Sequence, residues 1–439
     1  MVEASRNSTN INKRGTCSRP VLSPGAVKMD EPIIVGIDIG TTKICTLVGR
    51  VEDDGLLRIL GVGVEPSHGM RKGVPVDVRA VTQAISRSIE KAERTSGMEI
   101  TSALVSLAGS QVSSVNSRGV VGVSGRTIGE DDVIRSMEAA RAVAIPHNRE
   151  IIHVIQRGFT VDGQPGIRMP LGMHGYRLEV ETHIITVAAS AVENLRNCVL
   201  QAGASTNQFV LNPLASAETV LSDTEREMGV VVCDVGGGTT DMAIFIEGDV
   251  WHTMVLGVGG DHITSDIAHG LRLPISQAEE IKMQHGHSVE SQVGENEEFH
   301  VRPFGEEMPL QIRRRELALI IEARVEEIFS LVLQEIKRSG YDGLLPAGMV
   351  LTGGSSSIPG IHSIASQVLG LPVRIAQPDN LIGMTDQLYN PAFSTSVGLL
   401  KWSMLMTEIG GEIAQPKVSS HGGGLDWEYV KSLLRRLFP

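Results

Sequence analysis

An α/β protein of two related halves is what the sequence predicts, and three short segments predict it. Ile33–Arg50 reads IIVGIDIGTTKICTLVGR, and Val230–Glu247 repeats the design as VVVCDVGGGTTDMAIFIE. Each is an apolar run, an Asp-x-Gly turn, a Thr-rich stretch and a second apolar run. With β-branched residues on both sides of a glycine turn, each reads as strand–turn–strand. Their wide separation suits a duplicated domain, not a solenoid. The third segment, Val350–Gly360, reads VLTGGSSSIPG: a strand, a Gly-Gly step that lets a flat base approach the backbone, then a helix start.

The elements follow in order. Residues 1–30 are rich in Ser, Asn, Arg and Pro without a signal-peptide core, and read as a disordered leader of a protein kept inside the cell. Residues 31–110 open the first half with a β-meander. A helix over Asp77–Gly97 follows, with Asp77 as N-cap and Val78, Val81, Ala84, Ile85, Ile89 and Ala92 on one face. A strand at Thr101–Ala108 completes this part. Residues 111–181 form an inserted α+β subdomain with a helix at Glu130–Ala144. Residues 182–228 return to the scaffold through a strand at His183–Ala189 and a helix whose capping box is Ser190-x-x-Glu193. The second half starts as a meander at residues 229–271. A small polar subdomain spans 272–312. Residues 313–402 carry a long helix and the third segment, then return to the first half. Residues 403–424 read as a flexible linker and 425–439 as an amphipathic helix.

Composition narrows the function. The chain of 439 residues is 41% apolar and 21% charged, ordinary for a globular protein. A net charge of −12 and an aromatic content of 3% argue against nucleic-acid binding. Cys17, Cys45, Cys198 and Cys233 are dispersed and read as reduced thiols. No segment approaches the ~18 apolar residues of a membrane span.

The chemistry concentrates in the turns. The amides of Gly40–Thr42 and Gly236–Thr239 can converge into anion-binding nests, and Asp38 and Asp234, at the strand ends, suit a hydrated magnesium ion. Glu279 and Lys282 share one helix face, as solvated pairs commonly do.

Together these segments resemble the nucleotide-binding signature shared by actin, sugar kinases and DnaK-type chaperones. The resemblance implies an actin-like (ribonuclease H-like) fold with ATP and magnesium between the halves. By motif, Asp38 and Asp234 hold magnesium through water, and Asp241 steadies the second turn or polarises a water. Gly40, Thr41, Thr42, Lys43, Gly236, Gly237, Gly238 and Thr239 surround the phosphates. Gly353, Gly354 and Ser355 face the adenosine, and Glu279 and Lys282 match its ribose and purine contacts. Within that group the chain resembles the FtsA family of bacterial division proteins from Ile33 to about Leu400, through stretches such as GVGVEPSHGMRKGVPVD (Gly61–Asp77) and GVGGDHITSDIA (Gly257–Ala268). The insert sits where that family carries its extra subdomain. This implies an ATP-binding, filament-forming adaptor that binds the C-terminal tail of FtsZ on the small second-half subdomain and recruits later membrane proteins of the divisome at the septum. Arg313, Arg314 and Arg315 are the candidate contacts for that acidic tail.

Two local signals refine the reading. In DnaK-type relatives the element corresponding to Leu211–Ala217 carries a glutamate near the attacking water. Here Asn212 stands in its place, and an amide cannot take a proton from water, so hydrolysis should be weak or conditional. In the last fifteen residues, Trp427, Val430, Leu433, Leu434, Leu437 and Phe438 share a sector about 140° wide, with Lys431, Arg435 and Arg436 outside it. Such a helix reaches only ~22 Å and reads as an interfacial anchor for an anionic membrane. Other actin-like scaffolds, of rod-shape or pilus-assembly type, and a sugar-kinase-like phosphotransferase remain the alternatives.

Overall fold

The computed structural model describes residues 33–408, apart from 53–54 and 307. The expected leader at 1–30, most of the expected linker, and the segment 425–439 expected as an anchor helix through Trp427–Phe438 lie outside the described residues.

The first half begins with β1 (Ile33–Ile39), β2 (Lys43–Val51) and β3 (Leu57–Pro66), the expected antiparallel meander. A small ribbon, β4 (Met70–Arg71) and β5 (Val74–Pro75), leads to α1 (Val78–Ser96). Asp77 caps α1 by accepting the N–H groups of Arg79 and Ala80 at 3.0 and 3.1 Å, and Gly97 ends it with φ at 72°. The buried face is the one expected except at Val78, which opens the helix and is exposed. Strand β6 (Ser102–Leu107) pairs parallel with β1.

The insert comprises β7 (Ser113–Gly122), α2 (Glu130–Arg141), β8 (Arg149–Val161), β9 (Gln164–Ile167) and β10 (Arg177–Ala188). Its sheet runs β7-β10-β8-β9, with its own apolar core against α2. The expected return to the scaffold at residue 182 is displaced. Strand β10 continues unbroken to Ala188, still paired with β7 or β8 along its length. Its two faces explain the misreading. Ile184 packs in the core of the insert, whereas Ile185 and Val187 pack in that of the first half, so the strand is apolar on both sides. Helix α3 (Ala189–Gln201) starts directly at its end. Consequently Ser190 and Glu193 lie inside the helix and form no capping box; Glu193 instead pairs with Arg196 at 2.6 Å.

Strand β11 (Ser205–Leu211) adds to β6, and α4 (Asn212–Val220) and α5 (Asp223–Met228) lead to the second half. There, β12 (Val230–Val235), β13 (Thr240–Ile246) and β14 (Asp249–Leu256) form the second meander. Helices α6 (Gly260–Leu271) and α7 (Ile275–His285) follow. The hairpin β15 (Glu298–Val301) and β16 (Leu310–Arg313) precedes α8 (Arg314–Ser339). Strand β17 (Met349–Thr352), α9 (Ile361–Leu369) and β18 (Val373–Ile375) complete the second sheet. The chain then crosses back to the first half through β19 (Leu381–Gly383) and α10 (Ser394–Glu408).

The second sheet runs β14-β13-β12-β17-β18, and the first runs β3-β2-β1-β6-β11 with β19 on the outer edge of β3. Position by position the two orders correspond, which is the duplication expected from the paired turns. Residues 403–408, expected in the linker, continue α10: Ser403 is buried, and Met404 packs against the core cluster that includes Ile34, Leu47 and Val397. The insert also rests on the second half. His183 bonds the Thr253 hydroxyl at 2.9 Å, and the Arg157 guanidinium lies 4.0 Å from the Trp251 ring centre.

Candidate functional site

The β1–β2 and β12–β13 turns close in the same way. Gly40 donates its N–H to the Lys43 carbonyl at 3.0 Å, and Gly236 donates to Thr239 at 2.9 Å. Those two amides are therefore spent inside the turns, leaving the amides of Thr41 and Thr42, and of Gly237, Gly238 and Thr239, to meet an anion. The N–H groups of Gly260 and Asp261, at the start of α6, donate to the Gly236 and Gly237 carbonyls at 2.9 and 2.8 Å. In a trans peptide the N–H points opposite to the C=O, so the Gly237 and Gly238 amides point away from α6. The two turns meet across the halves: a Cβ built on Gly237 would overlap Thr42, and one on Gly238 would overlap Thr41. Bare glycine backbone is what permits that approach.

Beneath the turns lie three buried carboxylates, Asp38, Asp234 and Asp241, which are 5%, 7% and 2% exposed. Asp38 accepts the Ser106 hydroxyl at 2.9 Å and the Ser396 hydroxyl at 2.7 Å. Asp234 accepts Thr395 at 2.8 Å, and Asp241 accepts Thr239 at 2.8 Å. The second oxygen of Asp241 has no hydrogen-bond partner among the described residues. Burial pushes the Asp234 carboxyl up to about 6, with the Thr395 hydroxyl opposing and the charge of Asp38 adding to the rise. Burial, then the charge of Asp234, holds Asp241 well above the ordinary range. A cluster of this kind gains from a cation and from hydrogen-bond donors.

Lys43 reaches away from its own turn. Its ammonium donates to the Ala392 carbonyl and sits 4.5 Å from the Phe393 ring centre, tying the first turn to the segment that enters α10. The third motif meets the second turn. Gly353 takes φ at 88° against Asp234, where a Cβ would overlap its Oδ1, and the Ser355 hydroxyl donates to the Gly236 carbonyl at 3.0 Å. Gly354 follows Gly353 as the first residue of a short 3-10 turn.

Glu279 and Lys282 share the face of α7 expected of them, but the pair is not simply solvated. Lys282 is 8% exposed; its ammonium bonds Thr264 at 2.9 Å, the Gly260 carbonyl at 3.3 Å and Glu279 at 2.6 Å. Glu279 also accepts from the Thr264 hydroxyl. A Cβ built on Gly260 would overlap the Ser355 hydroxyl and stand 3.6 Å from the Lys282 ammonium. The second turn, the third motif and the Glu279–Lys282 pair thus converge on the start of α6.

Asn212 opens α4, with its side-chain oxygen buried and without a hydrogen-bond partner among the described residues. The arginines at the small subdomain divide. Arg314 pairs with Glu297, while Arg315 pairs with Glu290 at 2.8 Å and Glu295 at 3.5 Å. Arg313 is exposed at the end of β16.

Ser106, Thr395 and Ser396 were not singled out from the sequence. Ser106 is a polar residue inside an apolar strand, which is a usable signal. The Ser394–Ser396 run reads locally as nothing more than a helix start.

Residues 231–398 match the family model described as "Cell division protein FtsA", and residues 109–186 match "SHS2 domain inserted in FTSA". The chain is 42% identical over 372 residues to the cell division protein FtsA of Pseudomonas aeruginosa, spanning 85% of this chain and 89% of that protein. Among solved structures it is similar to a PilM–PilN type IV pilus biogenesis complex, with a TM-score of 0.60 and 16% identity over 83% of this chain and 97% of the other. It is also similar to MreB5 of Spiroplasma citri bound to ADP, with a TM-score of 0.51 and 15% identity over 85% and 98%. The expected actin-like two-half α/β fold with an inserted subdomain is the one these comparisons support.

Proposed function

The chain belongs to the FtsA family of cell division proteins, and on that premise we propose that it is an ATP-binding, filament-forming adaptor that tethers FtsZ to the cytoplasmic face of the membrane at the division site. One observation carries the nucleotide reading. Two glycine turns from opposite halves touch above three buried carboxylates, with turn amides left to bind an anion. These residues fit a magnesium nucleotide, since a divalent cation would offset the cost of burying Asp38, Asp234 and Asp241. Asp38 and Asp234, one from each half, would hold magnesium through water, as the family motif implies.

In this reading Thr41, Thr42 and Gly237–Thr239 hold phosphate oxygens through their amides, while Lys43, held at the Ala392 carbonyl, lends its positive charge to Asp234. Gly353–Ser355 with Glu279 and Lys282 form the adenosine side. Bound magnesium supplies charge stabilisation to phosphoryl transfer. With Asn212 opening α4 in place of an acid, turnover is weak or conditional, and ATP acts mainly by closing the halves. Closure favours the filament, and a row of terminal helices turns weak membrane contacts into firm attachment. Among the described residues no helix is long and apolar enough to cross a membrane. The membrane contact is assigned to the amphipathic pattern of residues 425–439.

The acidic FtsZ tail is assigned to the small subdomain. There Arg313 is exposed at one end of the β15–β16 hairpin, and Phe304, Met308 and Leu310 face solvent at its loop end. Late membrane proteins of the divisome are the remaining partners, and nucleic acid is not among them.

The test combines calorimetry and sedimentation. Wild type takes up ATP with magnesium, and Asp234→Ala abolishes that uptake together with filaments. Trp427→Glu loses only co-sedimentation with anionic liposomes. Arg313→Glu weakens FtsZ capture without changing ATP affinity. Absence of magnesium-assisted ATP uptake by wild type removes the reading.

A further inference from the structure

The buried hydroxyls at the start of α10 are not explained by nucleotide contact. Thr395 and Ser396 are consecutive, 5% and 1% exposed, and they donate to different halves: Thr395 to Asp234 at 2.8 Å, Ser396 to Asp38 at 2.7 Å. The preceding Ser394 exchanges a hydrogen bond at 2.7 Å with Thr352, the register partner of Asp234 on β17. Three successive side chains of one helix turn thus grip β17, β12 and β1, strands of both sheets.

We propose that Thr395 and Ser396 are positioning residues that set the magnesium requirement of nucleotide binding by holding Asp38 and Asp234 at a fixed separation from one rigid helix turn. The proposal rests on the nucleotide reading above.

Two like-charged carboxylates in a buried cleft repel, and each can rotate to separate its charge from the other. The Thr395 hydroxyl occupies one oxygen of Asp234 and fixes how the other is presented, while Ser106 and Ser396 hold one oxygen of Asp38 each. Because Thr395 and Ser396 are neighbours in one helix, the two aspartates cannot shift independently, and the first amides of α10 add a favourable dipole for negative charge. Preorganisation of this kind spares a bound cation the cost of ordering its site. Asp38 retains a second donor in Ser106, at 2.9 Å. Loss of Ser396 is therefore milder than loss of Thr395.

The test uses the full chain and an ATP analogue titrated at graded magnesium. Thr395→Val, which removes the hydroxyl at nearly constant shape, raises the magnesium concentration for half-maximal binding by about tenfold, the size expected from one lost charge-assisted hydrogen bond. Ser396→Ala raises it less, and Thr395→Ser restores it to near wild type. Circular dichroism and thermal melting without nucleotide check folding. If Thr395→Val does not fold, Ser396→Ala, which deletes a single oxygen, decides. Folded variants with an unchanged magnesium requirement overturn the positioning role while wild-type binding stands. Wild type without magnesium-assisted binding overturns the nucleotide reading, and this proposal with it.

Discussion

The imidazole of His153, on β8 of the insert, accepts the backbone N–H of Leu211 at 3.1 Å. Leu211 ends β11, and the next residue, Asn212, opens α4. The insert is therefore stitched to the core at the base of the candidate site. The His153 ring also meets Trp402 of α10 edge-on, with centres 5.5 Å apart.

His153→Ala should cost about 1–3 kcal/mol, because it leaves a buried N–H unpaired and opens a gap against Trp402. Urea unfolding measures the loss. Nucleotide binding should survive, since His153 touches none of the turn residues.

The same burial makes the protein acid-sensitive. Desolvation holds His153 down at about 4, and His183 down at about 3 with help from the charges of His252 and Arg157. A histidine whose folded value lies below its unfolded value of about 6.5 gives its full stability above pH 6.5 and loses it as the pH falls toward the folded value. His183 bonds Asn116 at 2.7 Å and Thr253 at 2.9 Å, so protonation puts a charge inside the buried contact between the insert and the second half. Melting temperature should fall between pH 7 and pH 5, and the fall should shrink in His183→Gln.

Asp234 works in the opposite sense. Its folded value, raised to about 6, means that the charged form costs stability above that pH, by about 3 kcal/mol relative to an ordinary carboxylate. The cost fades as pH falls from 6 toward 3.8. Asp234→Asn keeps an acceptor for Thr395 and removes the charge. It should melt no lower than wild type at pH 7.5, and keep only about half of that advantage at pH 5. Magnesium nucleotide binding should disappear in the same variant, which separates the role of Asp234 in function from its role in folding. Thermal melts at both pH values, beside calorimetry, check it.

What was legible in the sequence is what local rules decide. Asp77 and Gly97 bound α1 because a cap and a left-handed turn are local events. The two Asp-x-Gly hairpins were legible for the same reason, and with them the duplicated topology. Ser106, Thr395 and Ser396 were not, because a buried hydroxyl acquires its meaning only from the carboxylate that the fold places beside it. Lys282 was undervalued, since i,i+3 spacing does not tell a solvated pair from one packed under Gly260. The ion pairs of Arg314 and Arg315 were not legible either, because their glutamates come from the preceding loops. The end of the insert is not legible, because β10 passes from the core of the insert at Ile184 to that of the first half at Ile185 with no turn residue between them.

The closest backbone approach around α10 supplies the last prediction. A Cβ built on Gly398 would overlap the Ala215 carbonyl of α4 and stand 3.1 Å from the Ser216 nitrogen. Neither atom is the end of a flexible side chain, so the helices must separate. Gly398→Ala should therefore destabilise the protein by about 1–3 kcal/mol, the usual range for overpacking. Gly122→Ala, where nothing lies within 4 Å of the added carbon, should be nearly neutral and serves as the control. Gly398 follows Ser396 by two residues on the same helix. A shift of α10 away from α4 pulls the Thr395 and Ser396 hydroxyls off Asp234 and Asp38, so Gly398→Ala should also raise the magnesium needed for nucleotide binding. If unfolding shows the loss of stability while magnesium dependence stays fixed, α10 moves without carrying the aspartates, and the coupling between that helix and the cleft is absent.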